Sequence, residues 1–268
     1  MRTVPLSFRL LAGVIRRLLP LPHVSGMGNR ITRPLFCRWH KGSIRVNVWP
    51  HIDMILDPTD AMAGYLAFVP QLYDRWERKI VADHLPHGGT FVDVGANLGA
   101  YTLWAANLVG NEGRVVAFEA APRNFAALTK NVEINGFKQI STFQVGVSDR
   151  DELLELFINP INCGICYFRT VGHPYRLEES VMVECKPLAT LLSRAGVDQI
   201  NFLKIDVENF EHRIFVRFFD DVPKTSTLRP RYILSELFGG EENPVKELLE
   251  RNGYRMQEFR NGNGFFAA

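Results

Sequence analysis

Asp93, Gly95, Asn97 and Gly99 lie within seven residues of one another, and Glu119 follows 26 residues after Asp93. A glycine turn that closes a short apolar run (Phe91-Val92-Asp93-Val94) and opens a helix stands where open parallel sheets bind ligands, outside the carboxyl ends of their strands. Gly95 permits a tight turn and close backbone approach, and Gly99 lets the helix or a ligand come near. Helix N-terminal amides beyond the turn offer donors to an anionic group. A nicotinamide dinucleotide site needs glycine where Asn97 stands, and a carboxylate at Asp93 ill suits a pyrophosphate. Asp93 instead suits hydrogen bonds from a ligand's ammonium, directly or through water, which points to a cofactor with an amino-acid moiety. Glu119 closes the next strand, where a carboxylate can take both hydroxyls of a ribose; alone it reads equally well as a solvated strand end. Ser148-Asp149, past the third strand, can meet an adenine amino group or simply form a turn.

A second set of carboxylates comes later. Asp206 ends an apolar strand, Glu208 lies two residues on, and Glu236 closes a neighbouring strand. With Glu211 and His212 they are the candidates for a general base, which contributes about 10²–10⁴-fold where an alcohol must lose its proton. Asp206 and Glu236 are preferred and Glu208 is third; Glu211 and His212 read as a solvated helix face. Three converging carboxylates can also hold a hard divalent cation, but the sequence fixes no ligand geometry and no metal is assigned. Cys163-Gly164-Ile165-Cys166 has a C-x-x-C spacing without a second nearby Cys/His pair, and reads as small buried residues.

The elements that must position these groups can be read from pattern. Residues 43–49 and 53–56 predict two short strands, and 73–84 a helix with Trp76, Ile80 and Val81 on one face. Strands at 90–94, 114–118, 141–145, 199–205 and 231–235 alternate with helices at 100–109, 122–134, after 205, and 244–252. Residues 150–185 look less regular. The alternation means an α/β fold with a doubly wound, Rossmann-like sheet. The expected organisation is an N-terminal helical and β-hairpin extension or cap over 1–72 and a catalytic domain over 73–268.

The 268 residues are 46% hydrophobic and 22% charged, which excludes disordered and fibrous classes. With 31 basic against 29 acidic residues the net charge of +2 argues against a nucleic-acid partner. Residues 6–19 are apolar but broken by Arg9 and Arg16-Arg17, so they do not span a bilayer. They read as a helix docked on the core or a loose extension, or else as a basic amphipathic helix on a membrane surface. Four cysteines make no disulfide scaffold, and no cleavage site follows the apolar run, so the cytoplasm is expected.

The sequence resembles the FkbM family of S-adenosylmethionine-dependent class I methyltransferases. The match is carried by Val92 to Thr102, by Val116 to Pro122 with Leu128, Asn131 and Asn135 downstream, by Leu203 to Glu211, and by Ile233 to Glu236. The resemblance implies a seven-stranded sheet whose last strand is antiparallel, and methyl transfer to an oxygen of a sugar, glycolipid or secondary metabolite. It adds Asn97 and Tyr101 to the cofactor set of Asp93, Gly95, Gly99, Glu119, Ser148 and Asp149. Three positions depart from the family pattern: Ala120-Ala121 precede Pro122, Asn209 replaces a usual glycine, and the middle region around Cys163 lacks serines. The competing readings are a nicotinamide-dependent oxidoreductase or epimerase, a non-catalytic cofactor-binding module, and a nucleic-acid methyltransferase. The missing central glycine, the retained carboxylates and the near-neutral charge count against them in turn.

Overall fold

The computed structural model describes residues 13, 34, 37, 38, 42–168, 179–237, 240 and 242–268. Apart from Gly13, the segment 6–19 lies outside the described residues.

Five parallel strands form the centre: β3 (Thr90–Val94), β4 (Arg114–Glu119), β5 (Ile140–Gln144), β10 (Phe202–Ile205) and β11 (Tyr232–Glu236). With β12 (Arg255–Arg260) and β13 (Asn263–Ala267) they make one seven-stranded sheet in the order β12-β13-β11-β10-β3-β4-β5. The last strand, β13, runs antiparallel to both β11 and β12, as the resemblance implied. The chain enters the sheet at β3, winds outward to β5, and returns to place β10 on the other side of β3, so the switch point lies between β3 and β10. The sequence pattern picked out the five parallel strands within a few residues. It did not pick out β12, whose residues are mostly exposed on the sheet edge, nor β13, which carries a glycine in a short run.

Buried continuous apolar strands need cover on both faces. On one face lie α2 (Arg75–His84) and α3 (Ala100–Val109), where the rings of Phe91, Phe202 and Phe265 stack at 5.7 and 6.2 Å between centroids. On the other lie α5 (Leu188–Arg194), α6 (Glu211–Asp221) and α7 (Pro244–Arg251), with Ile214, Phe215 and Phe218 of α6 driven into the core. Pro122 opens α4 (Pro122–Asn135), where its missing N–H costs nothing, and Gly136 closes it at φ 69°.

The stretch 150–185 is more regular than its sequence suggests. β6 (Gly146–Ser148), β7 (Glu152–Ile158), β8 (Cys166–Phe168) and β9 (Ser180–Pro187) form a separate sheet in the order β6-β9-β7-β8. Its half-exposed strands lack the continuous apolar runs of the central sheet, which hid them. Near the N-terminus, β1 (Ile44–Trp49) and β2 (Ile52–Leu56) form an antiparallel hairpin, followed by α1 (Ala61–Phe68). Two α4 side chains satisfy the free edge of β2: Ile55 N donates to Asn131 Oδ1 at 2.7 Å, and Asp53 N to Asn135 Oδ1 at 2.9 Å. Asn131 Nδ2 also donates to the Leu98 carbonyl at 2.9 Å, which ties the hairpin to the glycine turn.

Candidate active site

The strand ends at the switch point are drawn together by backbone. Gly95 has φ 80°, and a Cβ on it would lie 1.9 Å from the Asp206 carbonyl oxygen, so only glycine lets β3 and β10 close here. Gly99 has φ 89° and makes room for Leu128 of α4, whose Cδ1 would sit 2.6 Å from an added Cβ. Both glycines thus serve close approach between parts of this chain.

Parallel register then sets Lys204 of β10 opposite Asp93 of β3. Asp93 is fully buried; its Oδ2 accepts from Thr102 Oγ1 at 2.6 Å and its Oδ1 lies 3.9 Å from Lys204 Nζ. Lys204 also pairs with Asp206 at 3.2 Å and sits 4.8 Å over the Tyr101 ring. Burial alone pulls the Lys204 pKa down, but the carboxylates of Asp206 and Asp93 outweigh it and hold it above its ordinary value. The Tyr101 hydroxyl donates to Asp74 Oδ2 at 3.1 Å. Burial, reinforced by Glu77, pushes the Asp74 carboxyl up to about 6.

A cavity opens beside these strand ends. Its apolar wall includes Phe118, Val145, Val147, Leu156 and Phe168; its polar side includes Asn97, Glu119, Asp206 and Glu208. Glu119 is held by its own backbone surroundings: Oε2 accepts from Asn97 N at 2.7 Å and Oε1 from Ala121 N at 2.8 Å. Each oxygen keeps a lone pair for a further donor. Burial pushes its carboxyl up to about 7 against those two amides, which pull it down. Asn97 is left-handed at φ 51°; its Nδ2 donates to the Cys163 carbonyl at 3.0 Å, while its buried Oδ1 has no partner among the described residues. A wall for a flat ring, a carboxylate with spare lone pairs and an orphaned amide oxygen fit a nucleoside that also carries an amino-acid moiety.

The acidic rim has a different character. Glu208 and Asn209 are both left-handed, at φ 55° and 74°, so Asn209 takes the conformation a glycine would supply. Glu211, expected on a solvated helix face, is instead buried, and its Oε1 accepts from Val207 N at 2.8 Å, which fixes the 206–210 turn. His212 is exposed. Burial and neighbouring carboxylates push Glu208 up to about 7 and Glu211 and Glu236 up to about 8. For Glu236 the neighbours are Asp206 and Glu208, with Lys204 opposing, and its buried Oε2 has no partner among the described residues. Among the described residues, no group of three or more His, Cys, Asp or Glu side chains is placed to hold a metal ion.

Residues 93–256 match the methyltransferase FkbM domain, well over half of the chain. The chain belongs to this family. Methyltransferase 1 of Beauveria bassiana (strain ARSEF 2860) is 28% identical over 142 residues, 47% of this chain and 57% of that protein, so the match spans little more than half of the relative. Among solved structures, methyltransferase FkbM from Methylobacillus flagellatus KT aligns with a TM-score of 0.46 at 11% identity, over 77% of this chain and 54% of that one. Aeropyrum pernix fibrillarin with bound S-adenosyl-L-methionine aligns at 0.45 and 14% identity, over 72% and 74%.

In this FkbM domain, Gly95, Asn97, Glu119, Asp206 and Glu208 meet at one cavity. Asp93, Gly99, Tyr101 and Glu236 stand around it without lining it; Asp93 Oδ2 accepts from Thr102, while its buried Oδ1, 3.9 Å from Lys204 Nζ, has no hydrogen-bond partner among the described residues. Ser148 and Asp149 are not brought to the cavity: Ser148 Oγ donates to Glu152 and Asp149, and Asp149 pairs with Arg213. Arg213, 64 residues further along the chain, gave no sign of claiming that carboxylate. The cavity also takes residues that pattern reading passed over. Asn124 Nδ2 donates to the Cys163 carbonyl at 2.9 Å, and Cys163 N donates to Asp60 Oδ2 at 2.7 Å, so the Cys163–Cys166 loop is folded over the site. Burial raises both thiols, Cys166 to about 12, as suits inert packing residues. Lys204 did carry a signal, a lone cation inside an apolar strand two residues before Asp206.

Among the described residues no helix is long and apolar enough to cross a membrane.

Proposed function

We propose that this chain transfers the methyl group of S-adenosylmethionine to a hydroxyl oxygen of a small-molecule or glycan acceptor. The observation that carries the reading is the union of one cavity and two kinds of carboxylate: Glu119, pinned by backbone amides, and the rim of Glu208 and Glu236, whose proton affinities lie near neutrality. The cofactor, when bound, supplies an electrophilic methyl group on a sulfonium; the protein supplies alignment, desolvation and proton handling. Glu119 and Asn97 would hold its nucleoside and amino-acid ends, with Phe118 and Phe168 in the apolar wall.

An alcohol becomes a useful nucleophile as its proton leaves, and the proton acceptor works best with a pKa near the working pH. Glu236 and Glu208 meet that condition. Asp206 pairs with Lys204 at 3.2 Å, which organises the rim. Among this group Glu236 is the preferred base, with one buried oxygen free to accept. Cys163, Cys166 and Cys185 are thiols, which supports a reducing compartment, the cytoplasm, as the place of action.

The test is calorimetric titration of S-adenosylmethionine, S-adenosylhomocysteine and NADH into wild type and Glu119→Ala. Binding of the two sulfur compounds in wild type, lost in the variant and absent for NADH, is the expected result. Heat with NADH alone would overturn the proposal.

A further inference from the structure

A second groove, of about 710 Å³, opens near these strand ends, and nothing in the proposed chemistry uses it. Asp74, Arg75, Trp76 and Glu77 at the start of α2 form one side, and Asn261 and Asn263 of the β12–β13 turn form the other. Glu77 is 3% exposed and unevenly satisfied. Its Oε1 accepts two long bonds, from Asn261 Nδ2 at 3.4 Å and Asn263 Nδ2 at 3.3 Å; its Oε2 is buried with no partner among the described residues. A buried acceptor left unmade is costly, and it persists where a ligand's donor completes it. Trp76 is half-buried, and its ring is fixed by the Nε1–H bond to Glu258 Oε2 at 2.8 Å.

We propose that this groove binds the acceptor as a neutral, polyhydroxylated ring, with Glu77 Oε2 accepting a hydrogen bond from one hydroxyl, the Asn261 and Asn263 amides answering other hydroxyls, and Trp76 covering an apolar ring face. The chemistry of the lining selects this class. An anion would meet Asp74 and Glu77, and an ammonium would meet Arg75, Lys79 and Arg260, which share the groove. A hydroxyl both donates and accepts and carries no charge, so it is compatible with all of them.

The groove also leads toward the proposed base. Asn263 pairs with Glu236 across the β11–β13 ladder, and Leu237 N donates to the Gly262 carbonyl at 2.7 Å, so the groove floor and the Glu236 strand end are one hydrogen-bonded unit. At the opposite lip, Asp74 accepts from Tyr101, whose ring lies under Lys204 and hence beside Asp206. The inference rests on the methyl-transfer reading and adds where the acceptor lies and what it is made of.

The experiment is saturation-transfer NMR with three probes, methyl α-D-mannopyranoside, methyl β-D-galactopyranoside and methyl α-L-rhamnopyranoside, in the presence of S-adenosylhomocysteine. Wild type is expected to transfer saturation to at least one glycoside, and Glu77→Gln and Trp76→Ala to lose at least five-fold of it. Affinity for S-adenosylhomocysteine should stay within two-fold in both variants. If Glu77→Gln lowers the unfolding midpoint, Asn263→Ala on the turn takes its place. Silence toward all three glycosides while S-adenosylhomocysteine binds would overturn the groove and leave methyl transfer standing, as would equal signals in wild type and variants. Failure of wild type to bind S-adenosylhomocysteine would remove the methyl-transfer reading itself, and with it the groove's role as an acceptor subsite.

Discussion

The two sides of the switch point treat their carboxylates in opposite ways. On the β4 side, Glu119 is clamped by two backbone amides, at 2.7 and 2.8 Å, so its oxygens have fixed directions. On the β11 side, Glu236 keeps a buried oxygen with no partner among the described residues, and Glu208 is carried on left-handed backbone among other carboxylates. A clamped carboxylate is suited to hold a ligand in one pose; a crowded, under-satisfied one is suited to take up and release a proton. On the proposed reading, equal residue types at equivalent strand ends are divided between binding and chemistry by how many backbone donors reach them.

The largest expected effect joins both sides. Gly95→Ala places a Cβ against the Asp206 carbonyl at a left-handed backbone position. It should cost on the order of 3 kcal/mol or more of stability, read by chemical denaturation. A near-neutral result would mean the two strand ends are not mechanically joined. Next, Glu236→Gln should lower kcat by about 10²–10³-fold with KM for the cofactor changed little. Glu119→Ala should do the reverse, weakening S-adenosylhomocysteine by about 10–100-fold in calorimetry. Exchanged phenotypes would break the division of labour.

Smaller and slower to see is the pH dependence. The raised carboxyls of Glu211 and Glu236 bind protons in the folded protein that the unfolded chain has already released between about 4.5 and 8. Stability should therefore fall as pH rises through that window and level off above it, while turnover rises toward the upper end. Thermal unfolding at pH 5.5 and 8.5 checks the sign, and Glu211→Gln should flatten the fall. The smallest effect belongs to Asp149→Ala. Its carboxylate is taken by Arg213, so S-adenosylhomocysteine affinity should change less than about three-fold.

Much of this arrangement was legible in the order of residues. The parallel strands announce themselves as short β-branched and aromatic runs, and Gly95, Asn97 and Glu119 fall at the strand ends where a doubly wound sheet must bind. What escaped was set by long-range packing. Asp93 has the spacing of a ligand contact, and only the fold shows that its Oδ2 accepts from Thr102 and that a lysine one strand away faces it, with Oδ1 still lacking a hydrogen-bond partner among the described residues. Glu211 has the polarity of a surface residue, yet the 206–210 turn folds back on it. The β7–β9 sheet and the Cys163 loop have too little periodicity to be seen locally, and their place over the cavity depends on Asn97, Asn124 and Asp60 donating or accepting from distant segments.

The bonds from Asn131 and Asn135 to β2 carry a practical consequence for anyone cutting this chain into pieces. The family match begins at residue 93, but Leu98, Ala100 and Leu103 share an apolar cluster with Ile52, Met54, Leu66 and Phe68 of the hairpin and α1. A fragment started at the family boundary would present that cluster, and two bereft asparagines, to water. Such a fragment should be sticky, and recombinant work on the family domain alone would mistake a missing neighbour for an unstable enzyme.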